Sequence, residues 1–340
     1  MPELSQPGGW LPLVFLGLMG VAMMAYVILD GFDLGVGILL RRAGDPDKDT
    51  MIASIGPFWD ANETWLVLGV GILLVAFPLA HGVILGELYL PVALMLAGLI
   101  LRGVAFDFRV KARDDHKHAW NMAFYGGSVL ATFAQGLMIG LYIVGFDHGL
   151  PQIAFATFTG LALIAGYALL GATWLIMKTE GELQQKAVAW ARGSLLFCGL
   201  GIVAVSVVTP LVSQQIFDKW FSFPNILLLA PIPAMTAALF ALTEYVLRRL
   251  PATLAKGRDT LCWLPFAATV GIFLLAFNGL AYSLFPYLVV DRLTIWQAAS
   301  APESLKIILF GVAIVLPTII GYTIFSYRVF WGKARELSYQ

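Results

Sequence analysis

Apolar residues run in long unbroken stretches along this chain, and the polar and charged positions gather in short segments between them. A bilayer core about 30 Å thick is crossed by about 20 helical residues at 1.5 Å each. Nine stretches reach that length, over about 10–40, 59–79, 82–104, 119–146, 152–178, 191–216, 224–249, 260–289 and 304–331. They are continuously apolar and do not alternate in and out, so they predict membrane helices and not the strands of a barrel. The first residues carry Glu3 and no Lys or Arg, and the run that follows exceeds the apolar core of a cleavable leader. It is therefore expected to be a permanent first span.

Composition strengthens this picture. Of 340 residues, 59% are hydrophobic and 12% are charged, against roughly 25% charged in a soluble domain. The formal net charge is zero, so no nucleic-acid partner is expected. Cys198 and Cys262 each sit inside apolar runs and read as small buried hydrophobes, with neither a disulfide framework nor a CxxC metal site.

The basic residues orient the spans. Arg41, Arg42 and Lys48 follow span one, and Arg102, Arg109, Lys111, Arg113 and Lys117 follow span three. Lys178, Lys186 and Arg192 follow span five, Arg248, Arg249, Lys256 and Arg258 follow span seven, and Arg328, Lys333 and Arg335 follow span nine. Only Lys219, Arg292 and Lys306 fall on the other side. The excess of positive charge predicts an N-terminus outside and a C-terminus in the cytoplasm, as an odd number of spans requires.

A weak repeat runs through the spans. Tyr26, Leu29 and Gly31 resemble Tyr167, Leu170 and Gly171; Pro78-Leu79 resembles Pro210-Leu211; Pro91 matches Pro231, and Gln135-Gly136 matches Asn278-Gly279. Four spans per repeat would make the halves parallel. The expected fold is an all-α integral membrane domain: one four-helix bundle over 10–146, a second over 152–289, and a peripheral ninth helix over 304–331.

Charge inside a bilayer is costly, so acids near the spans are the candidates for chemistry. Asp30 and Asp33 share one face of span one, and Asp60 and Glu63 repeat that spacing at the start of span two. Arg102, Asp107 and Arg109 close span three. These groups fit a static ion network joining three helices and equally fit a hydrated proton inlet. Gly31, Gly35 and Gly37 would let a neighbouring backbone approach. Glu244 precedes Arg248 by four residues, the spacing of an intrahelical salt bridge. Glu87, placed just inside the outer end of span three, has no obvious local partner.

A haem in a helix bundle usually takes a histidine from within a span. His81 and His148 are placed in outer loops and His116 and His118 in an inner loop, so no haem is expected on this chain. Met19, Met23, Met24, Met95 and Met138 have ordinary core spacing and read as packing.

The segment from Asp30 through Gly31, Phe32, Asp33, Leu34, Gly35, Val36 and Gly37 resembles subunit II of the cytochrome bd quinol oxidases. So does the stretch Trp59, Asp60, Ala61, Asn62, Glu63, Thr64, Trp65, Leu66. The run from Arg102 to Arg109 strengthens the likeness, and Glu63-Thr64 with Phe77-Pro78 is closer to the cyanide-insensitive branch. The resemblance implies a haem-free scaffold for a haem-bearing subunit I in a bacterial cytoplasmic (inner) membrane. In that partner two haems b and one haem d oxidise quinol and reduce oxygen to water, with protons drawn from the cytoplasm. It also implies that acids of this chain serve the proton path, Asp60 first, then Asp30 and Asp33, with Glu63 beside them. It leaves room for a small single-span third subunit and for a structural quinone. The rival from another class is a secondary transporter of two parallel repeats, which would place broken helices and acids at mid-membrane.

Overall fold

The computed structural model describes residues 2–5 and 7–334; Arg335, counted above among the C-terminal basic residues, lies outside them. Helices follow one another as α1 (Leu11–Leu39), α2 (Asp45–Ile55), α3 (Trp59–Ala76), α4 (Pro78–Glu87), α5 (Tyr89–Lys111), α6 (Asp114–Ile143) and α7 (Leu150–Lys178). Then come α8 (Gly181–Val212), α9 (Gln214–Trp220), α10 (Asn225–Leu229), α11 (Pro231–Leu254) and α12 (Leu264–Leu284). A two-stranded antiparallel hairpin, β1 (Tyr287–Val289) and β2 (Leu293–Thr294), precedes α13 (Ile295–Ala298) and α14 (Pro302–Val329). Among the described residues nine helical segments are long and apolar enough to cross a membrane, the number expected from the sequence.

The ends of these helices follow from local chemistry. Proline occupies the first turn of α2, α4, α7, α11 and α14, where its missing N–H costs nothing. Phe77 breaks out of helical geometry before Pro78 (φ −133°, ψ 57°), as expected of a residue preceding proline. The break makes α4 a short helix of its own, so α5 starts at Tyr89 and not near residue 82. Likewise α12 stops at Leu284, short of the expected 289, because Phe285 precedes Pro286 and the chain turns into the hairpin. Asp291 takes left-handed backbone there (φ 59°), a conformation its short polar side chain tolerates.

By its contacts the chain forms two compact units that interleave in sequence. Unit 1 holds the described residues of 1–30, 57–89 and 284–331; unit 2 holds those of 31–56, 90–283 and 332–340. Within unit 1, Ala22, Tyr26 and Trp65 form a buried cluster between α1 and α3, with Leu316 and Ile319 of α14 packed against it. Ser300 ties the segment before α14 to the end of α3, its N–H donating to the Ala76 carbonyl (2.8 Å) and its hydroxyl to that of Val75 (2.8 Å).

Unit 2 is organised by close backbone crossings. A methyl group on Gly35 of α1 would lie inside the Tyr167 carbonyl oxygen and the Gly171 amide nitrogen of α7, and one on Gly171 would strike the backbone of Gly35 and Val36. Gly98 and Gly127 mark a similar approach between α5 and α6. Without hydrophobic drive between helices in lipid, such contact surfaces supply much of the association. The end of α7 is closed by the chain's last described residues. Ala334 N–H donates to the Lys178 carbonyl (2.7 Å), while Lys333 Nζ donates to the Thr179 carbonyl (3.0 Å) and pairs with Asp259 (2.8 Å).

Candidate functional site

The charged residues singled out in the sequence differ sharply in their surroundings. On α1, Asp30 and Asp33 are fully buried, with 0% exposure each, and Arg102 on α5 is 1% exposed. Ions removed from water this completely cost several kcal/mol apiece unless polar groups meet them. At the start of α3, Asp60 is exposed and Glu63 half-buried.

Within unit 1 a residue of the same stretch, Asn62, has a role the sequence did not reveal. Its side chain is entirely buried; its amide donates to the Leu29 carbonyl, one residue before Asp30 (3.3 Å), and its oxygen accepts from the Tyr327 hydroxyl (3.1 Å). Tyr327 in turn stacks on Phe58 with ring centroids 4.5 Å apart. One carboxamide thus joins α1, α3 and α14 beside the Asp30 position. The signal for it was an uncharged polar residue between two acids.

Within unit 2 the following turn of α1 is held by aromatic packing. Gly31 lies against the Tyr167 ring and Leu170, and Phe32 stacks on Trp174 at 4.0 Å with Phe266 edge-on at 5.9 Å. The Tyr167 hydroxyl donates to Gln135 Oε1 (2.8 Å), so a buried phenol is satisfied and the α6–α7 pair acquires a fixed register. These contacts set the rotation of α1 that keeps Asp33 inside.

Arg102 and Arg109 stand seven residues apart and are both buried, whereas Asp107 is exposed. Arg109 pairs with Asp49 of α2 (2.6 Å), and its Nε donates to Asn121 Oδ1 (2.6 Å). The acids of α2 are distributed among several cations: Asp45 takes Lys48 (2.7 Å), and Asp47 takes Lys186 (3.0 Å), which also meets Glu182 (2.9 Å). The Lys48 ammonium, hydrogen-bonded to Asp45, holds that carboxyl below the usual range. The linker helix is thereby stapled to α5 and α8. None of these acids of α2 was singled out in the sequence; the partners of Asp47 and Asp49 lie far away in the chain, while Asp45 pairs locally with Lys48.

Two other expectations resolve. Glu244 pairs with Arg248 (2.6 Å), as its spacing suggested, and with Arg192 (3.3 Å). Glu87 is not inside span three; it ends α4 and pairs with Arg292 (3.0 Å), 205 residues away, beside the hairpin. Three histidine placements also change. His116 and His118 occupy the first turns of α6, whose polar start continues the helix beyond the apolar run, and His81 lies in α4, the short helix that follows the break at Phe77–Pro78.

No histidine of the described residues stands in the interior of a span, and no group of three His, Cys, Asp or Glu among them could hold a metal ion. The side chain of Met23 packs where a Cβ on Gly69 would be, consistent with filling and not ligation.

The description "Cytochrome bd terminal oxidase subunit II" belongs to the family model that matches residues 11–330. The chain is 29% identical to cytochrome bd ubiquinol oxidase subunit 2 of Bacillus subtilis, covering 92% of this chain and 94% of that one. It is 26% identical to cytochrome bd-I ubiquinol oxidase subunit 2 of Escherichia coli K12, covering 93% of each. A solved bd oxidase structure from Geobacillus thermodenitrificans shares the fold, with a TM-score of 0.75, 16% identity, and coverage of 95% of this chain and 99% of that one. A match across nearly the whole chain, on a helical fold with nine candidate membrane spans among the described residues, identifies it as a multi-pass membrane subunit of a terminal oxidase, and it belongs to the cytochrome bd subunit II family.

Proposed function

We propose that this chain is the haem-free second subunit of a quinol:oxygen oxidoreductase in the cytoplasmic (inner) membrane of a bacterium. It scaffolds a haem-bearing subunit I and feeds protons toward it. The family match over residues 11–330 carries this reading. Haems b and haem d of the partner would supply the electron transfer from quinol and the reduction of oxygen. The residues of this chain would carry the protons consumed there, four for each oxygen reduced to two waters. Asp60, exposed at the start of α3, is the natural point of uptake, with Glu63 beside it; buried Asp30 and Asp33 on α1 are the natural interior stations. Arg102, Asp107 and Arg109 form the supporting charge set. A small single-span third subunit and a structural quinone are compatible with the exposed apolar faces of α11 and α14. The transporter reading is not favoured, since the family is that of an oxidase.

Co-expression with a candidate subunit I tests the assignment. The purified pair is expected to show haem b and haem d bands, and this chain alone is expected to bind no haem. Stoichiometric haem on the isolated chain would overturn the haem-free reading; failure to co-purify with a haem-bearing partner would overturn the scaffold.

The proposed orientation, N-terminus outside and C-terminus in the cytoplasm, rests on the distribution of basic residues. Reporter fusions after Gly44 and Ala112 should read cytoplasm and one after Gly149 should read outside. Any one of them reversed breaks the nine-span topology.

A further inference from the structure

Where α1 ends and α6 begins, unit 2 contains a cavity of about 340 Å³ lined by Leu40, Arg41, Lys48, His118, Asn121 and Met122. Its polar lining is two cations, an imidazole and a carboxamide. The Arg41 guanidinium rests 5.7 Å above the Tyr125 ring, which fixes it without neutralising it. Lys48 is held by Asp45, whose carboxylate is 88% exposed while the Lys48 side chain is only 13% exposed. The Asn121 carboxamide oxygen is engaged by Arg109, and its side chain is buried. Lys48 is balanced by Asp45, so Arg41 supplies the cavity's excess positive charge, and its polar groups are pre-ordered.

Its remaining walls are of the opposite character. Leu40 is buried and Met122 is an exposed apolar side chain. His118, Met122, Tyr125 and Val129 recur at helical spacing along one face of α6, running from its polar start into its apolar length. The cavity also lies where two membrane-crossing segments, Leu11–Arg42 and His116–Ile143, have their polar ends. A free anion would use the cations alone. An amphiphile uses both.

We propose that this cavity binds the phosphate headgroup of an anionic phospholipid, with its acyl chains lying along Met122, Tyr125 and Val129. Charge-assisted hydrogen bonds from Arg41 and Lys48 would hold the phosphate oxygens. This site is distinct from the carboxylates proposed for proton transfer and does not depend on them.

The test uses the assembled oxidase, stripped of lipid in detergent and titrated with phosphatidylglycerol or phosphatidylcholine, with bound lipid counted by native mass spectrometry. The wild-type complex should retain one more phosphatidylglycerol than the Arg41→Gln/Lys48→Gln complex, with affinity at that site roughly 10- to 30-fold higher. Arg41→Gln/His118→Gln, which keeps the Lys48–Asp45 pair, should lose the same lipid. Arg41→Gln alone, on an exposed side chain, carries the comparison if either double variant fails to assemble. Met122→Gln leaves every charge in place and should weaken phosphatidylglycerol several-fold. Equal retention of the two lipids would overturn the proposal, as would wild-type retention in the charge variants. Displacement of phosphatidylglycerol by millimolar inorganic phosphate would mean a soluble-anion site instead.

Discussion

Substituting Gly35 by valine should abolish accumulation of the assembled oxidase. The first atom added at this position would fall within the Tyr167 carbonyl oxygen and close to the Gly171 amide. Both are backbone atoms of a long helix, so no side-chain rotation relieves the clash. Overpacking a core with side chains that can adjust costs about 1–3 kcal/mol; here α1 and α7 must separate along their crossing, and the cost should reach or exceed that range. The separation would also loosen the Phe32–Trp174 stack and the rotation that keeps Asp33 buried. Gly71→Ala is the matched control, since nothing lies within 4 Å of the methyl it adds. Haem absorbance per milligram of membrane should fall more than tenfold for the first variant and stay near wild type for the second. A Gly35→Val oxidase assembling at normal yield would show that the crossing is not needed.

Asp60→Asn should give an oxidase that assembles with its full haem complement yet consumes oxygen roughly 100-fold or more slowly, the low end of the span expected when one positioned proton-transfer group is removed. Asparagine keeps the shape and much of the hydrogen bonding of aspartate but cannot titrate. Asp60 is exposed in the first turn of α3, so the isosteric substitution opens no cavity in the core. Asp30→Asn changes a fully buried group and should slow turnover as well, accompanied by some loss of stability. Oxygen electrode rates and haem spectra on the same preparation separate the outcomes. Slow turnover with full haem supports proton uptake, and loss of haem or of the partner assigns Asp60 to structure. Wild-type turnover in a fully assembled Asp60→Asn oxidase ends its role in proton transfer.

How much could be read beforehand depended on the range of the interaction. The nine spans were legible because an apolar run of sufficient length has few other uses, and the close approach at Gly35 was legible as a glycine spacing, although its partner on α7 was not. The ion pair of Glu244 with Arg248 lies one helical turn apart and was equally plain. Glu87 was misplaced because Pro78 looked like the end of one span, with the next beginning soon after; the short α4 between them carries too few residues to show a period. Its partner Arg292 is 205 residues distant, and nothing local marks it. The same holds for Asp47, whose partner Lys186 is 139 residues away, and the significance of Asn62 likewise comes from what the fold brings to it.

The interleaving of unit 1 bears on how the protein is made. Its first two segments end at residue 89, and the third begins at residue 284. At roughly 5–20 residues per second, a ribosome needs on the order of 10–40 s to cover that gap. Throughout this interval α1 and α3 are in the membrane while the Asn62 amide oxygen awaits the Tyr327 hydroxyl. A chain cut before residue 284 would expose that incomplete surface permanently, making it a ready substrate for membrane proteases. Synthesis of α14 thus completes contacts that α1 and α3 leave open until then.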